Sequence, residues 1–133
     1  MTPAEAAALL GIAAAFDNRK PDADAAKAWS VALDGLRFED CRDVIVAHYR
    51  RTADWLMPAH IITEVRRLRS KRLHEAPPVT PPPDLTPIET TAWLAAERRR
   101  IADGDQPSAY PAELRPRHLP DLKALMPATE EQQ

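Results

Sequence analysis

The stretch Glu39-Asp40-Cys41-Arg42-Asp43-Val44-Ile45-Val46-Ala47-His48-Tyr49-Arg50-Arg51 decides the fold. Cys41, Val44, Ile45, His48 and Tyr49 recur at i, i+3, i+4, i+7 and i+8, and charged residues occupy the rest of the turn, so the segment reads as an amphipathic helix. A single helix of this length is marginal in water, and its apolar stripe must be covered by other helices of the chain.

The neighbouring sequence supplies them. Upstream, Thr2-Pro3-Ala4-Glu5 has the grammar of a capped helix start, followed by Leu9, Leu10, Ala13 and Phe16 on one face. Asn18 to Pro21 breaks that helix, because proline disfavours helical geometry at Lys20 and lacks a donor of its own. A second helix starts at Asp22 or Asp24, buries Ala25, Trp29, Ala32, Leu33 and Leu36, and closes at Gly35. Downstream, Trp55-Leu56-Met57 is too short for a helix, and Pro58 opens a fourth helix with Ile61, Ile62, Val65 and Leu68 inward, running to about Leu73. The expected fold class is all-α, with a four-helix domain over residues 1–76. A domain this small buries only about 60% of its unfolded surface, which makes Phe16, Trp29, Tyr49 and Trp55 its expected core aromatics.

Composition agrees with helices: 133 residues, 24 of them alanine, with 44% hydrophobic but only 5% aromatic side chains. Eleven of the 14 prolines follow residue 76, so the character of the chain changes there. Residues 77–87 read as a proline-rich linker, an extended strut of roughly 30 Å at about 3.1 Å per residue. Thr86-Pro87-Ile88-Glu89 repeats the capping grammar and opens a fifth helix, expected over residues 88–104 and ending at Asp103-Gly104. Residues 105–133, punctuated by five prolines, are expected to be a disordered tail.

Little in the chain suggests catalysis. Glycine occurs only at positions 11, 35 and 104, and no phosphate loop, dinucleotide fingerprint or nucleophile elbow is present. Cys41 and His48 share a face but stand seven residues apart, roughly 10 Å along a helix, too far for one to activate the other. His60 and Glu64 lack the further ligands of a metal site, and Asp17, Asp22 and Asp24 read as helix caps. The expectation is a non-enzyme with no cofactor and no bound metal. A net charge of −2 disfavours binding nucleic acid or membranes by bulk charge. One cysteine, no apolar run of bilayer length and a start of Thr-Pro-Ala-Glu point to a cytoplasmic protein without a membrane partner.

Two segments have the character of interaction sites. Arg66, Arg67, Arg69, Lys71 and Arg72 put five cations in seven residues at the end of the fourth helix, a candidate contact for nucleic-acid phosphate or an acidic partner. Trp93, Leu94 and Ile101 lie beyond the proline-rich linker, where no core of their own is evident. With Arg98, Arg99 and Arg100 as a polar rim, they read as a partner-binding helix, the alternative being that this helix packs back on the four-helix domain.

Leu9 and Leu10, Ala28-Trp29 with Leu33, Val44-Ile45 through Tyr49, and Trp55-Leu56-Met57-Pro58 leading into Ile61-Ile62 together give the first 73 residues a pattern that resembles the bacteriophage replicative-helicase loader and inhibitor family. That resemblance implies a non-enzymatic adaptor for a DnaB-type hexameric replicative helicase. In such a protein an ordered helical N-terminal domain engages the origin initiator, and a C-terminal region holds the helicase. The competing expectations are a small DNA-binding accessory protein using the basic end of the fourth helix, and a phage assembly adaptor.

Overall fold

The structure is a computed structural model that describes residues 1–105; the disordered tail expected over 105–133 lies, but for Asp105, outside the described residues. It is all-helical over that range: α1 (Pro3–Asp17), α2 (Ala23–Ala32), α3 (Phe38–Arg51), α4 (Pro58–Glu75) and α5 (Pro87–Asp103). No helix among the described residues is long and apolar enough to cross a membrane.

The helix starts form as their sequences dictate. Thr2 and Glu5 close a reciprocal capping box on α1, as Thr86 and Glu89 do on α5. The side chain of Asp22 accepts from the Ala25 backbone N–H at 2.7 Å to cap α2. Pro58 occupies the first turn of α4, where its missing donor costs nothing.

α1 packs on both α2 and α3, α3 also packs on α4, and α4 packs on α5. The core gathers Leu9, Leu10 and Ala13 of α1, Trp29 and Leu33 from α2 and its end, Cys41, Val44 and Ile45 of α3, Leu56 of the α3–α4 connection, and Ile61 and Val65 of α4. Trp29 is 8% exposed and belongs to this core.

Several expectations need correction. Phe16 and Trp55 are not core residues: they are 52% and 54% exposed. In the extended segment before α4 successive side chains alternate, so Trp55 and Met57 face outward while Leu56, fully buried, faces in. Ala32 likewise lies outside the core, because α2 ends there and the chain turns through Gly35 at φ +74°.

The largest correction concerns α5. It is not an isolated helix beyond a strut, since Trp93 is only 2% exposed and Ile101 and Ala102 are buried as well. The linker is partly drawn in, with Pro82 buried. The α5 C-terminus is fastened by ions: Arg72 donates to the Ala102 carbonyl at 3.0 Å, Arg69 pairs with Asp103, and Arg37 donates to the Asp103 carbonyl. Arg72 at the same time grips buried Asp40 with both terminal nitrogens, at 2.7 and 3.0 Å. One guanidinium thus joins α3, α4 and α5.

Candidate partner-binding surfaces

Two surfaces combine exposure with fixed geometry. The first surrounds Trp55. Asp17 ends α1, Asn18 turns the chain in the left-handed region at φ 56°, and Arg19 is thereby aimed back at the bundle. Its Nε donates to both Asp17 oxygens at 3.0 and 2.9 Å, and its Nη2 donates to the Leu56 carbonyl at 2.9 Å and to the Tyr49 hydroxyl at 3.3 Å. The Tyr49 hydroxyl in turn donates to Asp17. Asp17 is therefore no cap, contrary to expectation: it is the buried counter-ion of Arg19.

The electrostatics follow from that geometry. Hydrogen bonding by Arg19, with help from Tyr49, outweighs burial and lowers the Asp17 carboxyl to about 2. Asp17 also holds the Arg19 guanidinium above its ordinary range, and burial together with the bond to Asp17 raises the Tyr49 hydroxyl.

Arg19 supports the rings above it. Its guanidinium carbon lies 4.4 Å from the Trp55 ring centroid and 5.4 Å from that of Trp29. Phe16 stacks on Tyr49 with centroids 5.0 Å apart, and His48 meets Tyr49 edge-on. Trp55 separates two hollows: one of about 660 Å³ bordered by Phe16, Tyr49, Arg50 and Arg51, and one of about 300 Å³ bordered by Lys20, Trp29 and Met57. Exposed Phe16, Trp55 and Met57 thus form one apolar face set in a basic surround.

His48 and His60 serve local structure. His48 Nε2 donates to the Asp54 carbonyl at 2.7 Å, His60 Nδ1 accepts from the Met57 N–H at 3.0 Å, and the two rings stack at 5.7 Å. Glu64 pairs with Arg51 and Arg67 rather than standing as a partner of His60. Cys41 is buried, and that burial, reinforced by neighbouring Asp40, pushes its thiol up to about 11. Among the described residues no group of three or more His, Cys, Asp or Glu is placed to hold a metal ion.

The second surface is the groove between α4 and α5, about 370 Å³, edged by Arg66, Arg69 and Ser70 from one helix and Arg98 and Arg99 from the other. The structure splits the basic run of α4 into separate tasks. Arg69 and Arg72 are committed to Asp103 and Asp40, Arg67 and Lys71 border a different hollow together with Asp43 and Glu64, and Arg66 faces the groove.

The partner-helix residues divide as well. Trp93 and Ile101 are turned inward, Leu94 and Arg100 are half-buried, and Arg98 and Arg99 are exposed. The outward side of α5 carries instead Ile88, 84% exposed, with Thr91, Ala92 and Ala95 at helical spacing beside it. The inner side also holds Glu97, 1% exposed; neither its carboxylate oxygens nor the Trp93 indole nitrogen has a hydrogen-bond partner among the described residues.

Sequence reasoning missed Arg19, Asp40 and Glu97. Asp17-x-Arg19 next to a proline was the available signal for the first; the other two depend on contacts that the local sequence does not encode. No protein-family model, no curated protein and no solved structure matches this chain.

Proposed function

We propose that this protein is a non-enzymatic DNA-replication adaptor that bridges an origin initiator and a DnaB-type hexameric helicase. The observation that carries the reading is the outward face of Phe16, Trp55 and Met57, supported from beneath by a saturated Arg19–Asp17–Tyr49 cluster. Rigid exposed aromatics in a polar surround are the usual anchors of protein–protein recognition. The partners come from the resemblance, most of whose residues are core; Trp55 and Met57 are the two that lie on this face.

In this scheme the bundle presents the Trp55 face to the initiator. The outward side of α5, with Ile88 foremost, meets the helicase, since Trp93 and Ile101 are occupied within the fold. Two modest contacts on one body gain through tethering what each lacks alone. Co-migration with the cognate hexamer is the test: the parent chain is expected to travel with it and Ile88→Glu to lose it, whereas a parent chain that elutes alone refutes the helicase assignment.

A further inference from the structure

We propose that the α4–α5 groove is a binding surface for the phosphate backbone of duplex DNA, independent of the protein contacts above. Arg66, Arg98 and Arg99 are exposed there and form no ion pair with an acidic side chain among the described residues; Asp103 is paired with Arg69, and the Glu97 carboxylate is buried on the inner side of α5 rather than in the groove lining. Guanidinium groups gathered around one groove repel each other, and an anion seated between them relieves that repulsion. Guanidinium matches phosphate oxygens in a planar, two-pronged fashion, and the Ser70 hydroxyl adds a neutral donor.

The occupant is further specified by what borders the groove. Its lining carries no aromatic ring, only Leu73 and Ala102 besides the polar groups, so the bases of a single strand find nothing to stack on. A duplex, which presents phosphates at regular spacing and keeps its bases stacked, fits the lining better. With a chain charge of −2, this attraction is local and directional rather than a property of the whole surface.

The assembled groove makes a different claim from the linear basic run. If the run acted as a unit, Arg67 and Lys71 would contribute as much as Arg66. If the groove acts, Arg98 and Arg99, some thirty residues away, contribute instead.

The full chain is titrated against a fluorescent 20-base-pair duplex by anisotropy at 25–200 mM salt. Binding is expected with a log–log salt slope of about −2 to −3, following three neutralised phosphates. The double variant R66Q/R98Q should weaken binding at least about tenfold and flatten the slope by about 2 units. Because both side chains are exposed and form no ion pair among the described residues, its thermal midpoint should match the parent, which establishes that the fold persists. R67Q/K71Q should bind within about twofold of the parent. The proposal is overturned by absence of duplex binding at the lowest salt, by equal losses in the two double variants, by tighter binding of a single strand, or by poly-glutamate competing as well as DNA.

Discussion

Asp17 shows how much a single carboxylate can organise. Its folded value of about 2 lies below the ordinary 3.8, so its contribution is complete above the unfolded value and is lost as the pH falls from about 4 toward 2. That contribution is at most about 2 kcal/mol, since solvent near the end of α1 screens part of it. Tyr49→Phe removes one donor to the carboxylate, lets it protonate at higher pH, and should move the acid-unfolding midpoint upward by a few tenths of a pH unit. An unmoved midpoint in circular dichroism would contradict the assignment. At the opposite end of the molecule, Arg72→Ala leaves Asp40 buried without its partner and should cost about 2 to 3 kcal/mol in urea unfolding. Gly104 adopts φ +82°, and a Cβ there would meet the Arg72 guanidinium carbon at 3.1 Å. Gly104→Ala should therefore destabilise by about 1 kcal/mol or more, measured the same way.

At the scale of elements, the caps and apolar spacings that define each helix were legible because they are local. Thr2 with Glu5, Asp22, Pro58, and Thr86 with Glu89 all start helices where their chemistry predicts. What was not legible is how the elements meet. Trp55 has the composition of a core residue and lies outside because Leu56 takes the inward position and Arg19 fills the space beneath the indole. Trp93 stood beyond eleven residues of proline-rich sequence, and burial of Trp93 and Ile101 together with the bonds of Arg37, Arg69 and Arg72 to the end of α5 brings that helix home. Among the described residues, the Trp93 indole nitrogen and both oxygens of Glu97 have no hydrogen-bond partner, and unmet polar atoms weaken a packed seam. α5 touches the rest mainly through α4, whereas α1 lies between α2 and α3. Amide hydrogen exchange should accordingly show α5 opening well before α1 and α3; equal protection would mean that the seam is as strong as the core.

For the whole molecule, one body offers an apolar aromatic face on the bundle and an arginine-edged groove along α4 and α5. Neither surface could be read from the sequence as a unit, because each gathers residues distant in the chain: Phe16 with Trp55 in one, Arg66 with Arg98 in the other. The identities of the side chains were visible; their assembly required the packing. In the proposed function the aromatic face is covered by another protein. Co-migration of the Trp55→Ala chain with the cognate origin initiator tests it most directly. The indole is half exposed and lies above the core, so the variant is expected to unfold within a few degrees of the parent while its capture of the initiator is lost; a folded variant that captures the initiator as well as the parent would contradict the claim.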